Sequence, residues 1–175
     1  MFLSRRKTTT QGRWIKGRNG SRPRRPAARN VLYIGAGLMQ RAPEQAMSIR
    51  IVRLGSPRVA REGLRIGTVR RPPRGVPKSE FASQNWYDVW FPNLAPSLET
   101  MKLGFAAETP AQWARFIKRY RAEMAAPDNR HALELLAALS HQSNFSVGCY
   151  CEDEAHCHRS VLRQLLVELG AEVEP

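Results

Sequence analysis

All three cysteines of this chain, and two of its four histidines, lie between Cys149 and His158. Thiols and imidazoles in one short run, followed at once by Arg159, can hold a metal, attack an electrophile or bind an anion. The run opens as an apolar, β-prone stretch at Phe145 and closes as an amphipathic helix through Leu166. A strand handing over to a helix is where open α/β sheets place their ligands.

For zinc, the candidate ligands are Cys149, Cys151, Cys157 and one of His156 or His158. The spacing speaks against it. Cys149 and Cys151 alternate onto one face of a strand and read as small buried residues. The two-residue gap of a zinc knuckle is missing. No stoichiometric metal and no cofactor are expected. For nucleophilic chemistry, Cys151 stands at the strand end and Cys157 in the first turn of the closing helix. His158 would be the general acid or base, with arginines stabilising charge. A Cys-x5-Arg phosphate loop is absent, because Arg159 comes eight residues after Cys151. The acids Glu152, Asp153 and Glu154 also oppose a neighbouring thiolate. For anion binding, His158 and Arg159 follow a helix opening, where free N–H groups and the dipole favour negative charge. The same acidic triplet could instead tie these side chains into a structural network.

A second group of cations, Arg70, Arg71 and Arg74, sits in a proline-rich loop after an expected strand over 64–69. If that strand lies parallel to the one opening at Phe145, both loops share one sheet edge and form a cationic pocket. The alternative is a solvated basic loop. Farther on, Asp88 and Asn93 either position a ligand or cap turns. Trp86, Trp90 and Phe91 read as core.

The elements around these residues follow from pattern. Ile49, Ile51, Val52 and Leu54 mark a first strand, and 86–91 a third, stopped by Pro92. Ser97 caps a short helix to about Phe105. Thr109-Pro110 opens a longer one, with Trp113, Phe116, Ile117, Tyr120 and Met124 on one face. Asp128 is expected to cap the next, with Leu133, Leu136, Ala137 and Leu139 inward. The last helix buries Val161, Leu162, Leu165, Leu166 and Leu169 and ends at Gly170. Strands alternating with helices imply an α/β fold with a mainly parallel sheet flanked by helices.

The 175-residue chain carries a net charge of +13, unevenly spread. Residues 1–46 hold +10 of it and residues 47–175 only +3. The first 46 residues are rich in Arg, Gly, Pro, Ser and Thr, a composition that cannot bury enough apolar surface to order itself. They are expected to be a disordered basic tail, either a functional arm or sequence upstream of a natural start at Met47. A nucleic-acid-binding role would rest on that tail together with the arginine loops, and no recognised nucleic-acid module is visible. No apolar run approaches the roughly 20 residues of a membrane span. The start lacks a secretory pattern, and crowded cysteines do not make a disulfide framework. A cytoplasmic location is expected.

The chain resembles the YeaO-like family, domain of unknown function 488, over about residues 48–170. Its strand-end run Asp-Arg-x-Trp-Pro-Arg-Gly is similar to Val69 through Gly75. Its Leu-Ala-Pro-Ser stands at Leu94-Ala95-Pro96-Ser97. Its aromatic helix is matched by Trp113, Phe116, Tyr120 and Met124, and its closing Cys/His/Arg motif by Cys149 through Arg159. Val69 and Pro72 depart from the family's acid and tryptophan, which leaves Asp88 as the substitute if that acid has a chemical role. The resemblance implies a Rossmann-like domain over 47–175 and brings no reaction with it. The expected site is Arg70, Arg74, Cys151, His158 and Arg159 at the strand ends. Its expected role is binding a small phosphate- or nucleotide-like anion. Enzymatic turnover, nucleic-acid binding and a purely structural loop remain the alternatives.

Overall fold

The computed structural model describes residues 47–175. The expectations for residues 1–46 lie outside the described residues. Four strands, β1 (Ile49–Arg53), β2 (Leu64–Gly67), β3 (Val89–Trp90) and β4 (Phe145–Cys149), form one sheet in the order β1-β4-β2-β3. Every pairing is parallel. The last strand in sequence therefore slots between the first two, and all three of these strands end on one edge. Four helices complete the domain: α1 (Leu98–Phe105), α2 (Pro110–Met124), α3 (Pro127–Leu139) and α4 (His158–Glu168). Among the described residues no helix is long and apolar enough to cross a membrane.

The two faces of the sheet are covered differently. Ile49 and Ile51 of β1, Ile66 of β2, and Phe145 and Val147 of β4 share one face by alternation. They pack with Phe116, Tyr120, Met124, Leu133, Leu136, Val161, Leu162 and Leu166 from α2, α3 and α4. The other face carries Val52, Leu54 and Val69 against Phe81, Trp86 and Tyr87. Its cover is a loop rather than a helix. Gly55 allows this loop to close, since it has a φ of +88° and a Cβ there would meet the Trp86 ring.

Local signals set the helix starts. Thr109 accepts from Gln112 N, and Gln112 reaches back to the Thr109 N–H, a full capping box ahead of Pro110. Ser97 caps α1 through Thr100 N. Gly170, with a φ of +81°, follows the end of α4. Three expectations need correction. Asp128 does not cap α3; Ala126 takes that place because Pro127 occupies the first helical position, and Asp128 falls in the first turn. Leu139 is exposed, and Leu165 and Leu169 only partly buried against the core, because the narrow inward stripe is filled by Leu133, Leu136 and Ala137 in α3 and by Val161, Leu162 and Leu166 in α4. The third strand shrinks to two residues. The Asp88 carboxylate takes the Arg65 N–H, and Trp86 and Tyr87 leave the ladder to cover the sheet face.

Candidate functional site

Parallel strands place their carboxyl ends together, and here that edge opens into a cavity of about 1060 Å³. Its base is Thr68, Cys149, Cys151, Cys157 and His158, from the ends of β2 and β4 and the start of α4. Its cationic side is Arg53 at the end of β1 and Arg70, Arg71 and Arg74 after β2. Aromatic walls come from Trp86, Tyr150, Phe105, Trp113 and Phe116. One carboxylate, Glu152, lines it, and that group is paired with Arg53 at 2.8 Å. Arg71 and Arg74 are exposed and pair with no carboxylate among the described residues. Arg70 is half-buried, and its guanidinium donates to the carbonyls of Ala95 and Pro96. This holds the segment before α1 against the cavity wall.

The base of the cavity has a definite hydrogen-bond polarity. The Thr68 hydroxyl donates to the Gly148 carbonyl at 2.9 Å. Its only hydrogen is thereby used, so at 3.2 Å from His158 Nε2 it must accept. His158 Nε2 is the protonated nitrogen of this contact, and Nδ1 faces the Cys157 sulfur at 3.7 Å. The Cys149 and Cys151 sulfurs are also 3.7 Å apart. Cys157 is the N-cap of α4, one residue earlier than expected, and is only 2% exposed. The thiols of Cys149 and Cys151, with help from His158, hold its thiol well below the usual range against the effect of burial. Cys149 is pushed up, chiefly through Cys151 and Cys157 and further by burial.

The structure brings together Arg70, Arg74, Cys151, Cys157 and His158 and leaves out Asp88, Asn93 and Arg159. Asp88 lies beside the start of β2, where it forms a two-pronged pair with Arg58. Those bonds hold its carboxyl below the ordinary range, against the opposing effect of burial. Asn93 is exposed in a short 3-10 turn, Pro92–Leu94, and does not line the cavity. Arg159 is 3% exposed and turns inward, donating to the Cys151 carbonyl at 2.7 Å. The acidic triplet does not pair with it. Glu152 goes to Arg53, Asp153 to His156 and Glu154 to Arg163. Arg159 therefore anchors the loop through its backbone. Arg159→Ala should leave that carbonyl without its donor and lower stability by about 1–3 kcal/mol, read as a fall in melting temperature. An unchanged melt would count against the anchoring role.

Sequence reasoning missed Thr68 and Arg53 and placed Trp113 in the core. Trp113 stacks on Phe116 at 4.5 Å and still lines the cavity. Nothing in a single apolar strand marks Thr68, but alternation places it with Ile66, on the face that α4 covers. Arg159 was open to a better reading. Successive helix residues point about 100° apart at 3.6 residues per turn, so His158 and Arg159 do not face one cavity together.

Comparison with known proteins agrees with the motifs. No curated protein and no solved structure shows a significant match. A family model described as the active DUF488-N3 subclade matches residues 49–170, which among the described residues contain every strand, every helix and the whole cavity base. The chain belongs to the DUF488 family.

Proposed function

We propose that the cavity binds a small anion carrying a flat apolar part, with a nucleotide-like compound as the best fit. The observation that carries this reading is one cavity combining Arg71 and Arg74 at its rim with the aromatic side chains of Trp86, Tyr150 and Phe105. Guanidinium groups offer forked donors to phosphate or carboxylate oxygens. Aromatic rings offer stacking area to a base. The volume is that of an ordinary small-molecule site, and the carboxyl edge of a parallel sheet is its customary place. Nucleic-acid binding rests instead on the charge of residues 1–46.

The test is calorimetric titration of the full chain with inorganic phosphate, a nucleoside and the matching nucleoside monophosphate. The monophosphate should bind most tightly and raise the melting temperature. Arg71→Ala/Arg74→Ala should weaken it by about tenfold to a hundredfold, as expected for lost bonds to a charged group, without lowering the melt of the free protein. Absence of binding by any of the three probes, or equal binding by the double variant, would exclude this reading.

A further inference from the structure

Cys149, Cys157 and His158 each offer a ligand atom, and these atoms lie within 4.8 Å of one another. All three residues are at least nine-tenths buried and all line the cavity. We infer that they form a site for a borderline-soft divalent metal, zinc foremost, with a fourth coordination position open to the cavity.

Bond lengths of about 2.3 Å to sulfur and 2.0–2.1 Å to nitrogen place tetrahedral ligand atoms roughly 3.5–3.8 Å apart. Cys157 Sγ and His158 Nδ1 are already 3.7 Å apart. Small side-chain rotations bring the set to bonding distance. Thr68 supplies the outer support. Its hydroxyl, fixed by the Gly148 carbonyl, accepts from His158 Nε2 and leaves the Nδ1 lone pair directed at the sulfurs. A divalent cation with two thiolates and one neutral imidazole is electrically neutral, which suits a buried position. A nucleophile would need to be more accessible than Cys157, at 2% exposure, whereas a ligand does not. Cys151 is half-buried beside the group, 3.7 Å from Cys149, and lies outside the three-residue set. The case against zinc in the sequence rested on the missing knuckle spacing and on Cys149 and Cys151 as same-face, small buried strand residues. The three ligands come from a strand end and a helix start brought together by the fold, so spacing within one loop does not decide the matter.

This site stands apart from the anion reading. Its test is metal binding by the reduced full chain, stripped with a chelator and checked to have three free thiols. Cobalt(II) should bind at one equivalent per chain and give a thiolate-to-cobalt charge-transfer band with the visible bands of tetrahedral cobalt. Zinc should displace it and raise the melting temperature. Cys157→Ser and His158→Ala should each weaken binding more than a hundredfold. Thr68→Val, an outer-support change, should cost about 10–100-fold. Cys151→Ser should keep one equivalent with the same spectrum. Wild-type protein with all thiols free that binds neither metal stoichiometrically would overturn the inference, as would an octahedral cobalt spectrum. Loss of binding in Cys151→Ser would overturn the open fourth position. The wild-type titration decides the main point even if a variant fails to fold.

Discussion

Arg65→Met should destabilise the domain by about 3–5 kcal/mol, the cost of stranding one partner of a buried ion pair. The Arg65 side chain is fully buried in β2. It donates to both carboxylate oxygens of Glu62, at 2.6 and 2.8 Å, and to the carbonyls of Ser56 and Asn85. Those two carbonyls belong to the loops that carry Ser56 and Trp86 to the cavity wall. The guanidinium thus ties the segment after β1 to the loop covering the sheet. Burial alone would raise the Glu62 carboxyl, but bonds from Arg65, Ser146 and the Val59 N–H outweigh it and lower the pKa from 4.5 to about 2. A depressed carboxyl stabilises the fold above its unfolded pKa, and that contribution is lost as pH falls through the folded value. Glu62 should supply about 3 kcal/mol above pH 4.5 that disappears towards pH 2. Urea melts across that range should show the loss in wild type and a flatter profile in Glu62→Gln. In Arg65→Met the acid-dependent loss should be smaller, because without its main partner the Glu62 carboxyl is less depressed. Equal stability of Arg65→Met and wild type at pH 7 would refute the clamp.

Gly148→Ala should cost about 1–3 kcal/mol by overpacking and should disturb the site as well. Gly148 is buried in β4, between β1 and β2. A Cβ there would stand 2.6 Å from Leu54 Cδ2 and 2.8 Å from the Val52 carbonyl oxygen. Leu54 can swing away, but the Val52 carbonyl belongs to the neighbouring strand and moves only with the sheet. Pushing β1 from β4 displaces Arg53 and Cys149, which face each other in register at the cavity edge. The Gly148 carbonyl also receives the Thr68 hydroxyl that orients His158. The variant should melt earlier and bind metal and anion more weakly than wild type. A folded variant with wild-type stability would show that the sheet tolerates the added methyl group.

Much of the architecture was legible in residues 47–175 because its signals are local. Apolar spacing along α2 and α4, the Thr109-Pro110-Gln112 start and the glycine after α4 each report what one element does by itself. Alternation of strands and helices reported the parallel α/β class, and the handover from β4 to α4 located the richest chemistry. Motif order over 49–170 carried the family. Strand order is different in kind. Only the folded chain inserts β4 between β1 and β2, and that insertion brings Arg53 and Thr68 to the cysteine loop. Asp88 and Asn93 were grouped with the site by residue type, and the fold leaves both outside the cavity. Glu62 and Arg65 stand three residues apart with nothing in the sequence to mark them, and burial makes each the other's partner. The residue types and element boundaries are thus properties of short segments. Which thiols meet, which arginines reach the cavity and which turn inward depend on contacts between distant segments, and those were decided by packing of the whole domain.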